Sequence, residues 1–188
     1  MRIFEKFATR THPLDDQDTF ALFYENTHQN TYRYVMALNG GFERQAEDIT
    51  ADAYLRAWKN RRSFTGTSDA AFGWLLTIAR RIFIDKYRAA SSHPTETGLI
   101  DNIEDDKPDA ETVLLGKEVS EQVIKALQYL PENRRDMVVL RYVLGWRVNQ
   151  IAEHLAMPEN TVSVSLHRSL KQLQEALALQ GVSNERTV

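Results

Sequence analysis

The chain has 188 residues, 43% apolar and 26% charged, with a formal net charge of −3 and no cysteine. These figures suit one large or two small packed domains. They exclude a disulfide framework and a thiolate metal site, and the slightly acidic balance argues against a generic polyanion binder. No apolar run approaches a membrane span. The opening "MRIFEKFATRTHPLDD" lacks the apolar core and cleavage pattern of a signal peptide, so a cytoplasmic protein without membrane insertion is expected.

Period 3.6 recurs along the chain and period two hardly at all, which predicts an all-α fold. Residues 1–16 read as a tail, frayed or held by a partner. The first helix starts near Asp18 and carries Phe20, Phe23, Tyr24, Thr27, Thr31, Tyr34, Val35 and Leu38 on one stripe, with Asn39-Gly40-Gly41 as its stop. The second, "ERQAEDITADAYLRAWKNR", has Ala46, Ile49, Ala53, Leu55, Ala57 and Trp58 at its apolar positions. "SFTGTSD" is a loop, after which Ser68 or Asp69 caps a third helix, "AAFGWLLTIARRIFIDKYRA". That helix is apolar over much of its circumference, which makes it central in its bundle.

Residues 17–88 hold ten Lys/Arg against eight Asp/Glu, residues 89–112 one against seven, and residues 113–180 eight against seven. The acidity belongs to the middle segment, where Pro94, Gly98 and Pro108 interrupt any period, as in a flexible linker. The alternative is that its charge mimics nucleic acid in a basic channel of a partner. Helices follow in "TVLLGKEVSEQVIKALQYL", ended before Pro131, and "ENRRDMVVLRYVLG", closed by Gly145. "RVNQIAEHLAM" and "NTVSVSLHRSLKQLQEALAL" make a helix-turn-helix, with a C-terminal tail at 181–188. The expected architecture is two small helical bundles, 17–88 and 113–180, joined by a flexible acidic linker at 89–112.

Within the helix-turn-helix, Ile151, Ala152 and Leu155 face Val162, Leu166, Leu170 and Leu173, and Asn160 or Thr161 can cap the second helix. Ala156 stands where glycine often closes the first helix in left-handed geometry, at a cost of roughly 1–2 kcal/mol if that geometry is kept. Taken alone, the motif favours DNA binding over its alternative, an ordinary helical hairpin.

"QAEDITADAYLRAWKN" followed by "FGWLLTIARRIFIDKYR", with the helix-turn-helix at the far end, resembles the extracytoplasmic-function class of bacterial RNA polymerase sigma factors from about Asp18 to Leu179. The resemblance implies that Glu47, Asp48, Asp52, Leu55, Arg56 and Trp58 dock on core polymerase, mixed charge around an aromatic anchor suiting an interface hot spot. It implies that the loop with Arg61, Arg62, Ser63, Phe64, Thr65 and Thr67 captures an unstacked base of the −10 element. Trp74, Arg80, Arg81, Lys86 and Arg88 would then hold the opened strand. Read without the family, the loop is a surface loop over a buried Phe64, and Trp58 and Trp74 are equally core residues. The −35 reader would be Arg147, Asn160, Thr161, Ser163, Val164, Ser165, His167, Arg168 and Lys171.

Two departures stand out. Ala79-Arg80-Arg81 replaces the family's usual Ala-Arg-Asn, and Ser163 and Ser165 replace the two basic residues of its usual Thr-Val-Lys-Ser-Arg-Leu. Each lost phosphate contact lowers affinity and flattens its salt dependence, so the second bundle alone should bind DNA feebly. Clamping by polymerase would compensate through effective concentration. The linker residues 89–112 span at most about 80 Å fully extended, against roughly 75–80 Å between the two promoter elements.

The resemblance further implies an anti-sigma partner, and no catalysis, metal or cofactor. The five histidines are scattered, no H-E-x-x-H or glycine-rich phosphate loop occurs, and Asp48 with Asp52 reads as an exposed acidic face. Two alternatives stay open: a polymerase-independent helix-turn-helix regulator, and a sigma-derived interaction module with a weakened DNA face.

Overall fold

The structure, a computed structural model, describes residue 14, residues 16–92 and residues 121–179. Residues 89–92 of the expected linker continue the third helix; the linker from residue 93 on, the 113–120 portion of the helix expected after it, and the remaining tail residues lie outside the described residues, as do the side chains of Asp69, residues 88–92 and Leu179.

Helix α1 (Gln17–Asn39) opens on a reciprocal cap: Asp16 Oδ1 accepts from the Thr19 N–H at 2.8 Å, and the Asp16 N–H donates to Thr19 Oγ1 at 3.3 Å. Two orphan N–H groups of the first turn are thereby satisfied. It ends as the sequence predicts, with Gly40 at φ +83° donating its N–H to the Met36 carbonyl. Helix α2 (Glu43–Asn60) buries Ala46, Ile49, Ala53 and Ala57 completely, and its small residues let α1 and α3 approach closely. A short 3-10 turn, Arg61–Ser63, leads to α3 (Ser68–Ser92). The Thr67 carbonyl takes the first helical bond, from Ala71 N–H at 3.2 Å, so the cap lies one residue ahead of the Ser68 or Asp69 expected.

Among the described residues, the second half begins with α4 (Glu121–Leu127) and α5 (Glu132–Val138). Helix α5 runs on into a π-helical turn at Val139–Val143 before Gly145, at φ +71°. Helices α6 (Val148–His154) and α7 (Glu159–Leu179) form the helix-turn-helix around Ile151, Ala152, Val162 and Leu166, all buried. Ala156 does adopt the left-handed conformation, at φ 52°. The Pro158 carbonyl accepts from the N–H groups of Thr161 and Val162, which starts α7 at Glu159. Asn160 and Thr161 therefore lie inside its first turn and do not cap it, because the proline carbonyl already opens the helix two residues earlier.

The two bundles pack on each other. A single apolar cluster runs from Tyr34, Leu38, Leu75 and Ile82 through Leu127, Leu130, Met137 and Leu140 to Val162 and Leu166. Phe72 of α3 meets Trp146 edge-on at 6.1 Å between centroids. Gly73 permits this approach, since a Cβ there would lie 3.3 Å from His154 Nδ1.

Candidate polymerase and promoter interface

Helix α2 turns one side to the core and leaves Glu47, Asp48, Leu55 and Arg56 exposed, with Asp52 half-buried beside them. Leu55 is 56% exposed, a large apolar side chain standing among charges. Trp58 points elsewhere. Its ring is half-buried, edge-on to Phe20 at 5.0 Å, with the Arg61 guanidinium 3.7 Å above it. Arg61 also donates to the Trp58 carbonyl at 2.7 Å. Trp58 thus anchors the end of α2 to α1, and Arg61 is held inward by that ring.

In the loop that follows, Arg62, Ser63, Thr65 and Thr67 are exposed, whereas Phe64 is only 7% exposed. Its ring lies 5.0 Å from that of Trp74, which is itself half-buried. As placed, Phe64 underlies the loop, and its polar neighbours are the groups that face outward. On α3, Arg81 is exposed and Lys86 lies 3.9 Å from Asp52, an exposed pair of little energetic weight.

Arg80 is engaged within the fold. Its guanidinium bonds Glu132 Oε1 at 2.9 Å and sits 2.8 Å from Asp136 Oδ2, both on α5 of the other half. The second contact is one of charge, poorly aligned as a hydrogen bond, and Oδ2 has no other partner. Asp136 is 1% exposed, and its Oδ1 accepts from the Tyr34 hydroxyl of α1 at 2.6 Å. Burial raises the Asp136 carboxyl above its ordinary value, opposed by the Tyr34 hydroxyl and by Arg80. Burial also drives the Tyr34 phenol well above the usual tyrosine range, reinforced by the Asp136 charge, so it stays a donor at neutral pH.

Around this pair, one arginine ties both halves. Arg135 donates to the carbonyls of Leu127, Gln128 and Leu130 and, across the interface, of Leu38 at 2.9 Å. These carbonyls belong to the C-terminal ends of α4 and α1 and to the turn that follows α4, where a cation is favoured. Gln128 Nε2 adds a bond to the Ala37 carbonyl at 3.2 Å. Between α3 and the start of the helix-turn-helix runs a groove of about 500 Å³ lined by Thr67, Phe72, Trp74, Trp146 and His154, among others. Burial holds the His154 imidazole below its ordinary pKa, against the pull of Asp136.

On the helix-turn-helix, Arg147, Asn160, Thr161, Ser163, Val164, His167, Arg168 and Lys171 are all exposed. Ser165 is half-buried, its carbonyl accepting from Ser169 Oγ at 2.8 Å. This outer face of α7 is uncovered, with Val164 41% exposed. Sequence reasoning missed Asp136, Glu132 and Arg135. The available signal was an aspartate in the otherwise apolar run "DMVVL", which marks a charge needing a distant partner.

Residues 23–93 match the family model for Sigma-70 region 2, and residues 120–173 that for Sigma-70 region 4. An ECF RNA polymerase sigma factor of Mycobacterium tuberculosis, SigL, is 31% identical over 154 residues, covering 81% of this chain and 85% of the relative. SigX of Bacillus subtilis, also an ECF RNA polymerase sigma factor, is 26% identical over 168 residues, with 87% and 86% covered. Among solved structures, the sigma factor RpoE in complex with the anti-sigma factor NepR from Bartonella quintana superposes with a TM-score of 0.70 at 21% identity, over 90% of this chain and 100% of that one. CnrH in complex with the cytosolic domain of CnrY gives 0.62 at 18% identity, over 89% and 92%. The two family matches define a promoter-specificity subunit with a region 2 bundle and a region 4 helix-turn-helix. The chain belongs to the ECF RNA polymerase sigma factors, which bind core polymerase and promoter DNA and direct transcription initiation.

Proposed function

We propose that this sigma factor docks on core polymerase through the outward ridge of α2, with Glu47, Asp48, Asp52, Leu55 and Arg56 in contact and Trp58 bracing the ridge from behind. The loop from Arg61 to Thr67 captures a −10 base through Arg62, Ser63, Thr65 and Thr67. Arg80, Arg81, Lys86 and Arg88 hold the opened strand, with Trp74 as support. The outer face of α7, with Arg147 of α6, reads the −35 element, Ser163 and Ser165 contributing hydrogen bonds where charge is absent. The protein works in the cytoplasm and catalyses nothing itself.

The observation that carries this reading is the exposure of two faces, the α2 ridge around Leu55 and the recognition side of α7, on helices otherwise packed into the core. With the halves packed, Arg80 is tied to Asp136 and Glu132. Promoter elements roughly 75–80 Å apart demand that the halves separate on polymerase, the linker being drawn out along it. The packed form is then the free or partner-held form. Because both solved relatives named above are complexed with an anti-sigma factor or a partner's cytosolic domain, we assign this chain a protein partner that holds the packed state.

The test is reconstituted transcription with bacterial core polymerase on genomic DNA. Discrete start sites that vanish without this chain are expected. Tight, selective duplex binding with no polymerase present would replace this reading by that of an independent regulator. Association with core enzyme but no promoter opening would leave only an interaction module.

A further inference from the structure

Leu14 has no accessible surface, although it precedes α1 in a stretch expected to be a tail. It belongs to a second apolar cluster, separate from the main core, with Phe64 of the loop and Ala71 of α3; Phe20, Phe23 and Trp74 pack around them. The reciprocal cap at Asp16 and Thr19 fixes the chain direction two residues after it. Leu14 also lies outside residues 23–93, the part matched by the region 2 family.

The Phe64 ring is confined on several sides. Trp74 lies 5.0 Å away between centroids, and Leu14 packs in the same cluster. The loop backbone closes over it at Gly66, where a Cβ would lie 2.5 Å from Phe64 Cζ. The Phe64 N–H is tied to the Arg61 carbonyl at 3.2 Å. Ser63 and Thr65, on either side of Phe64, are exposed. Where the ring sits therefore sets where those two polar side chains point. Pre-placed groups of this kind select a ligand only if the residues beneath them are locked by packing.

Building on the base-capture reading above, we propose that Leu14 is a positioning residue for the −10 loop: by seating Phe64 it sets the loop's selectivity for an unstacked base. Promoter discrimination is then determined partly by Leu14, a buried residue ahead of α1.

The experiment uses the full chain bound to core polymerase. The probes are a single-stranded oligonucleotide carrying the −10 sequence of a start site mapped by transcription, and the same strand made abasic one position at a time. The ratio of affinities at the most sensitive position measures capture, and a wild-type ratio of about tenfold is expected from the usual strength of a base contact. Leu14→Ala should bring that ratio close to one, Leu14→Met should restore it, and affinities for core polymerase and for a −35 duplex should stay unchanged. Gly66→Ala, whose added Cβ presses on the Phe64 ring without emptying the cluster, should lower the ratio as well. A core residue with no role at the loop would change only the melting temperature. Retention of the wild-type ratio by folded Leu14→Ala and Gly66→Ala overturns the proposal alone. A wild-type ratio of one overturns the base-capture reading and the proposal with it.

Discussion

Replacing Tyr34 by phenylalanine removes one hydroxyl from a fully buried ring and leaves Asp136, also buried, with Arg80 as its remaining partner across the interface. A hydrogen bond to a charged group contributes about 1.5–3 kcal/mol. Nearly all of that falls on the packed form, because Asp136 regains water once the halves part. At about 1.4 kcal/mol per tenfold, the balance between packed and separated halves should move by roughly 10- to 150-fold toward separation. The chain contains no cysteine, so cysteines introduced at exposed Lys59 and Lys171 can carry a dye pair. Single-molecule energy transfer then reports the populations directly. Asp136→Asn combined with Tyr34→Phe closes a double-mutant cycle, in which a coupling of at least about 0.5 kcal/mol is expected for groups in direct contact. Unchanged populations in Tyr34→Phe together with a coupling near zero would refute the idea that this bond holds the halves together.

Arg135→Lys keeps the charge but loses the fork that serves four carbonyls; a loss of about 1–3 kcal/mol in stability is expected from stranding the partly buried ones, measured by urea unfolding. His154, held below 6.5 by burial, contributes stability that is present above 6.5 and lost as pH falls through its folded value. Asp136, raised by burial, acts oppositely, its contribution being full below 3.8 and lost as pH rises through its folded value. The packed population should therefore fall on acidification just below pH 6.5 in wild type and not in His154→Gln, as the same dye pair would show. Ser163→Lys should tighten duplex binding and steepen its salt slope by about 0.9, and Ser165→Arg should do less, because Ser165 is half-buried. Leu55→Asp should weaken core-polymerase binding by about tenfold or more in a pull-down titration, with little change in melting because the site is exposed.

What the sequence revealed was what local chemistry determines. Gly40 had to end α1 because its conformation is left-handed, and Ala156 was identifiable as a strained turn from its place between two periodic stretches. The α2 face was legible because Ala46, Ile49, Ala53 and Ala57 repeat on one side. What stayed hidden depended on pairs far apart in the chain. Arg80 read as a free cation because its carboxylate partners come more than fifty residues later. Tyr34 read as one more ring in an apolar stripe, although its hydroxyl serves an aspartate 102 residues away. Leu14 was hidden for a different reason: an isolated apolar residue beside a proline carries no period, and only the tertiary cluster shows what it touches. The orientation of Trp58 toward Phe20 and Arg61 likewise depends on a neighbouring helix that periodicity cannot align.

The apolar cluster that passes without a break from α1 to α7 also bears on how the protein comes apart when heated. Residues that share one interior melt together, so calorimetry on the free chain should give a single endotherm whose van't Hoff and calorimetric enthalpies agree. Weakening the seam should split that endotherm into two, each bundle then melting as its own foldon.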